Sequence, residues 1–387
     1  MPTLPTIQLT QRPGIIDLGW GHPDSTLLPA AELRQAADAA IECWGAEVLA
    51  YGAERGAGPL IEWLCERIAQ TDGRAPGYDE IVITGGASHG LDQICTLATH
   101  SGDVVLVESP TYHLAVHILR DHPLELVPVP ADEHGLSIDA LADTLSGLRR
   151  AGRRARMLYT IPTFHNPTGS SMLPARRQAL VGLAIAEQFL IVEDDVYREL
   201  AYDQPPPSSL WSIAPPGVVA RLGSFAKSLA PGLRLGWLTA DAAMAQRTIG
   251  SGVIDSGGGI NHFTAMVVAQ FCASGAFDAQ VARFRAAYRA RRDALLAGLA
   301  AHLPPDCAVT PPGGGFFVWV RLPAGLDTEV LLPRAEASGV SYLPGERFHL
   351  DGRGANTLRL AFSLYEPAEL IEGARRLGAA LQASLAS

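Results

Sequence analysis

Residues 223–237 read GSFAKSLAPGLRLGW. Near the centre stands Lys227, the one lysine of the chain: of the 30 Lys plus Arg residues, 29 are arginine. The Ala/Gly/Pro/Arg-rich composition suggests that arginine has replaced lysine wherever charge alone is needed. Arginine cannot replace it where an amine must attack a carbonyl, because the guanidinium stays protonated. A lysine retained in such a chain is a candidate for amine chemistry; chance survival is the alternative.

Working outward, VVARLG (218–223) and RLGWLT (234–239) flank the lysine and read as strands. Upstream, IVIT (81–84), VVLVE (104–108), LELVPV (124–129), RMLYTI (156–161) and FLIVED (189–194) are short β-branched runs. Helical stretches separate them: one through Thr99, then about 112–121, 139–150 and 174–188. Continuous apolar strands alternating with helices predict an α/β fold, with a mostly parallel sheet covered on both faces. Polar signatures follow four strands: GGAS, SPTY, NPTG and DDVY. In open α/β sheets, ligands lie beyond the carboxyl ends of the strands. A helix at 30–44 precedes this region, and a long helix at about 279–302 follows it. GGFFVWVRL (314–322), TLRLAF (357–362) and a closing helix at 367–385 suggest a smaller α+β domain. The expected division is 1–50 as an N-terminal arm and helix belonging to the small domain, 51–280 as the large domain, and 281–387 as the linking helix and C-terminal segment.

Composition narrows the class. The 387 residues are 48% hydrophobic and 18% charged, which suits a buried core and argues against disorder. A net charge of -10 makes nucleic acid and anionic membrane poor partners. Cys43, Cys65, Cys95, Cys272 and Cys307 are scattered without a CxxC pair, so neither a disulfide framework nor a metal site is expected. The start, MPTLPTIQLTQRPG, lacks a basic segment followed by an apolar one, and no apolar run reaches about 18 residues. A cytoplasmic location is the expectation.

The segment around Lys227 resembles the lysine motif of the class I and II aminotransferases. Tyr51, HNPTG and EDDVY fall in that family's order, so the resemblance covers nearly the whole chain. It is nearest to the branch holding aminoadipate and kynurenine aminotransferases and the effector domains of MocR-type regulators. The resemblance implies the aspartate-aminotransferase fold, fold type I of the pyridoxal-phosphate enzymes, and pyridoxal 5'-phosphate as cofactor. It implies Lys227 as the Schiff-base lysine and proton carrier. Asp194 would pair with the pyridine nitrogen, making the ring an electron sink; Asp195, on the other side of an extended chain, is the poorer choice. Asn166 and Tyr197 would bond the phenolic oxygen, and Tyr112 would stack on the ring. Backbone N–H groups of Gly86, Ala87 and Ser88, with Ser224 and Arg234, would hold the phosphate, although a Gly-rich turn also serves as a plain strand–helix connection. Tyr51 would reach the phosphate of a neighbouring subunit in a homodimer, and Arg359 would grip the substrate α-carboxylate.

Three departures from the family pattern stand out. Ala226 replaces a serine before the lysine, and His89 stands where glutamine is frequent. In DLGWGHPDSTLLP (17–29), a segment that lines the family's substrate pocket, the run Gly19, Trp20, Gly21, His22 stands where the family usually has two adjacent glycines and an apolar residue before the proline. Trp20 would reshape the pocket, and His22 would bring a titratable group to it; both could instead point into packing. Asn261 and His262 are a further unusual pair. The implied reaction is amino-group transfer between an α-amino acid and a 2-oxo acid through the Lys227 aldimine. Rivals are another reaction at Cα, Cβ or Cγ (elimination or replacement, decarboxylation, oxidation) and a non-catalytic effector domain. Against the last, only about 15 residues precede the pocket-like segment. A nicotinamide-binding reading would need GxGxxG after the first strand, which this chain lacks, and leaves the lysine unexplained.

Overall fold

The computed structural model describes residues 7–385; the first six residues of the expected N-terminal arm and the last two of the chain lie outside it. Its centre is an eight-stranded sheet. From one edge the strands are Ile81–Thr84, Gly236–Thr239, Val219–Ser224, Leu190–Asp194, Ala155–Thr160, Val104–Ser109, Glu125–Asp132 and Gly135–Leu136. Most run parallel; Gly236–Thr239 runs against both neighbours, and the short Gly135–Leu136 pairs antiparallel at the far edge. Ile81–Thr84, Val104–Ser109 and Val219–Ser224 are buried at every position, as strands covered on both faces must be.

The expected elements are present with shifted ends. RLGWLT starts its strand only at Gly236, because Arg234 sits at φ +47 in a left-handed turn. Four helices of eight or more residues were not anticipated: Gly58–Asp72, Ala242–Ile249, His262–Ala273 and Thr328–Ala337. The first starts with Pro59 in its opening turn and ends on Gly73 at φ +73, a start and stop that need no periodic pattern to be read. Thr328–Ala337 is harder to read, since Pro333 lies inside it.

A four-stranded antiparallel sheet, ordered Ala308–Thr310, Phe317–Arg321, Thr357–Ala361 and Leu343–Pro344, forms the second layer system. The N-terminal arm joins it: Ile16–Asp17 pairs parallel with Val340–Ser341, and Ala361 N–H donates to Leu18 O. Ile16 and Leu18 share this core with Phe316, Val318, Leu358 and Leu377. Ala36 and Ala40 of the helix Ala30–Trp44 pack instead with Leu60, Leu64 and Val268 on the large-sheet side. The helix Ala276–His302 spans both cores, Phe277 in one and Tyr288 and Leu295 in the other. No single helix among the described residues is long and apolar enough to cross a membrane.

Candidate active site

One edge of the large sheet gathers the chemistry-bearing residues. The strands Ile81–Thr84, Val104–Ser109, Ala155–Thr160, Leu190–Asp194 and Val219–Ser224 all end there, leading into Gly86, Tyr112, Asn166, Asp194 and Lys227. The antiparallel strand begins there, so its register, Gly236 opposite both Thr84 and Ser224, delivers Arg234 to the same edge.

Lys227 lies in the short helix Phe225–Ser228, which Ser224 caps by accepting from Ala226 N–H at 3.1 Å. Its Nζ stands 5.8 Å from the ring centre of Tyr197 and 5.5 Å from that of Phe316. The residue is half-buried, with its amine beside the Tyr197 and Phe316 rings. Burial, then the Arg359 cation, lowers the amine's pKa to about 8, against the pull of Asp194. The free amine is therefore far more populated near neutral pH than in an ordinary lysine, though still the minor form.

Asp194 and Asp195 face opposite ways. Asp195 accepts from Arg198 Nε at 2.7 Å and Arg221 Nε at 3.0 Å, in a buried cluster that Asp72 completes. Asp194 faces the cleft, where Tyr159 Oη donates to its Oδ2 at 2.6 Å. Its Oδ1 is buried and has no partner. Burial raises the Asp194 pKa to about 6, against the Tyr159 hydrogen bond and the nearby Val196 N–H. An unsatisfied buried carboxylate oxygen is costly, and here it is left for a donor the chain does not supply.

Arg359 shows the complementary pattern. It is 3% exposed, donates from Nη1 to Asn166 Oδ1 at 2.9 Å and from Nη2 to Gly19 O at 2.6 Å, and its Nε has no partner. The faces of Phe317, at 4.1 Å, and Phe348, at 5.0 Å, enclose it. Burial lowers its pKa to about 10. No carboxylate pairs with it among the described residues. Because Asn166 Oδ1 accepts from Arg359, its Nδ2 is left as the donor.

At the opposite end, Gly86 opens the helix Ala87–Ala98 at φ +91 with no side-chain cap, so the first-turn N–H groups are free. A Cβ on Gly86 would lie 2.9 Å from Arg234 Nη2. The exposed Arg234 donates weakly to Gly85 O at 3.3 Å. Together these donors form an anion cradle. His89 braces it, its Nδ1 accepting from Gly85 N–H at 3.1 Å.

Tyr112 precedes the helix His113–Arg120, half-buried at the cleft. Tyr197 is buried edge-on to Phe316 and Phe317. Gly21 packs so close to Phe317 that a Cβ there would sit 2.7 Å from the ring. Trp20 and His22 stack edge-to-face with centroids 5.2 Å apart, and burial, then the Lys227 charge, lowers the His22 pKa. Tyr51 is 87% exposed, away from any core. Asn261 donates to Arg234 O and so supports that turn, while His262 abuts Gly52 beside Tyr51. Sequence reasoning missed Tyr159, Phe317 and Phe348, whose approach depends on strand register and on packing between the two sheets.

Comparison with known proteins adds the context. Residues 13–377 match the family described as Aminotransferase class I and II. Aromatic-amino-acid aminotransferase 1 of Thermococcus litoralis is 34% identical over 380 residues, covering 96% of this chain and 89% of that protein. The 2-aminoadipate transaminase of Thermus thermophilus is 36% identical over 387 residues, covering 98% and 93%. A solved structure, Pyrococcus horikoshii kynurenine aminotransferase in complex with PMP, superposes with a TM-score of 0.91 at 33% identity, over 96% of this chain and 92% of that one. The chain belongs to the class I and II aminotransferases, pyridoxal-phosphate-dependent transferases of fold type I.

Proposed function

We propose that this protein moves an amino group between an α-amino acid and a 2-oxo acid, with pyridoxal 5'-phosphate held at Lys227. The observation that carries the reading is one amine, Lys227 Nζ, set in a cleft with an unpartnered carboxylate oxygen of Asp194 and an unpaired guanidinium, Arg359.

The residues fit the cofactor. The Gly86, Ala87 and Ser88 amides with Ser224 and Arg234 would hold its phosphate, Asp194 Oδ1 its ring nitrogen, and Asn166 and Tyr197 its phenolic oxygen, with Tyr112 against the ring. When bound, the cofactor supplies an aldehyde that links reversibly to amines and a ring that accepts electrons from the substrate's α-carbon. The chain supplies the rest. Arg359 fixes the α-carboxylate in a fork. Lys227, once released, carries the proton at the α-carbon. Asp194 keeps a proton on the ring nitrogen. Trp20, Gly21 and His22, with Phe317 and Phe348, wall the substrate side and exclude water. His22 supplies a second titratable group there, and it favours, as a second reading, a different reaction at Cα, Cβ or Cγ.

A homodimer completes the proposal, with Tyr51 entering the partner's site. Its exposure, and that of Leu49 (73%) and Phe263 (40%) nearby, supports a covered face there. The division at about residues 50 and 280 is likewise proposed, with the helix Ala30–Trp44 packing on the large-sheet side. All five cysteines are free, which supports a reducing, cytoplasmic setting.

The test is to offer the holoenzyme a pool of amino acids. Conversion of the cofactor to its amine form with stoichiometric 2-oxo acid supports transfer; amine, ammonia or peroxide as product supports the second reading. Borohydride should fix the cofactor to Lys227 and should fix nothing in Lys227→Ala. A cofactor adduct elsewhere, or none in the parent protein, overturns the assignment.

A further inference from the structure

Tyr159 stands in the strand Ala155–Thr160, opposite Val192 of the strand that ends at Asp194. It is fully buried, and its phenol reaches one acceptor, Asp194 Oδ2, at 2.6 Å. Since an ionised carboxylate only accepts, the phenol is the donor. Rotation of the carboxylate would break this bond, so Tyr159 fixes which oxygen is spent inside the protein. The other, Oδ1, is buried and unsatisfied. One oxygen is thus anchored and its twin held out with no protein partner.

We propose that Tyr159 is a positioning residue for the ring nitrogen of the cofactor: its hydrogen bond aims Asp194 Oδ1 at that nitrogen and keeps Asp194 ionised, so that the proton of the pair stays on the ring. The proposal rests on the aminotransferase reading and extends it to a residue one step behind the cofactor. A carboxylate stripped of its phenol donor is a stronger base. It draws the shared proton to itself, and an unprotonated ring is a poorer electron acceptor. The other groups acting on Asp194 are the Val196 N–H and the Lys227 amine, which favour its charge, and Asp195, which opposes it. Tyr112 and Glu108 act on Tyr159. Among the described residues, Tyr159 Oη is the one donor within hydrogen-bonding distance of the Asp194 carboxylate.

The experiment loads wild type and Tyr159→Phe with cofactor labelled with ¹⁵N in the ring and follows the nitrogen resonance across pH. In Tyr159→Phe the resonance should move toward the unprotonated position, and the single-turnover rate should fall about tenfold or more, the scale of one hydrogen bond to a charged group. Incorporating 3-fluorotyrosine at position 159 keeps the shape and strengthens the donor, and it should shift the resonance the opposite way. Resonances unchanged in both proteins overturn the proposal, whatever the rates. Failure of borohydride to label Lys227 in wild type would instead overturn the underlying reading, so the two failures are distinguishable.

Discussion

Replacing Arg359 with methionine keeps the side chain's length and removes its fork. In the folded chain the guanidinium is 3% exposed and spends one N–H on Asn166 and one on Gly19, with no carboxylate partner among the described residues. A substrate carboxylate would gain two charge-assisted hydrogen bonds there, at about 1.5–3 kcal/mol each. Their loss predicts a fall in kcat/KM of about 10²–10⁴. Stability should respond differently. Burial lowers the Arg359 pKa to about 10, which marks a cation held at a desolvation cost. Removing it relieves that cost and leaves two carbonyl oxygens short of a donor, at about 1 kcal/mol each. The opposed terms predict a cofactor-free melting midpoint within about 4 °C of wild type. The assay is the single-turnover half-reaction with an amino acid and with the amine that lacks its carboxylate. Wild type should prefer the acid strongly, and Arg359→Met should lose that preference. If discrimination survives in a normally folded variant, Arg359 does not anchor the carboxylate. Arg359→Lys, charged without the fork, should fall between the two.

Three further outcomes are expected of the folded protein. Asp195→Ala should destabilise the protein by about 3–5 kcal/mol in denaturant unfolding, because the buried Arg198 and Arg221 guanidiniums lose a shared acceptor; an effect below about 1 kcal/mol would contradict the cluster's role. Asp194 has a folded pKa raised from 3.8 to about 6, so its contribution to stability is present below about pH 3.8 and lost as pH rises through about 6. Cofactor-free Asp194→Asn should therefore lack a fall of roughly 3 kcal/mol seen in wild type over that window, and parallel urea midpoints in the two proteins would reject this. Gly86→Ala sets a Cβ at φ +91, 2.9 Å from Arg234 Nη2, and should weaken cofactor binding by about tenfold or more while costing about 1–3 kcal/mol of stability in backbone strain; fluorescence titration with an unchanged Kd would remove Gly86 from the cradle.

Much of the fold was legible because its signals are local. Strands buried on both faces are continuous apolar runs, as in 81–84 and 104–109. The alternation of side chains along a strand separated Asp194 from Asp195, and in the structure one meets Tyr159 while the other meets Arg198 and Arg221. The helix His262–Ala273 went unread because it is apolar nearly all round, with seven buried residues and no polar face to give it a period. Trp20 and His22 were left open between pocket and packing, since nothing in DLGWGHP states which way an irregular segment faces.

Alone, the sequence determined the chemistry on offer. A single amine in an arginine-rich chain, inside a specific motif, pointed to a carbonyl cofactor and its family, because only one residue could do that work. Tertiary structure decided everything that depends on two distant segments meeting. The reversed direction of Gly236–Thr239 brings Arg234 to the cradle. The arm at Gly19 reaches across 340 residues to hold Arg359. Tyr159 and Asp194, 35 positions apart, become partners only through strand register. Such contacts arise from sheet pairing and the burial of two cores against each other, free energies that no local stretch of chain contains.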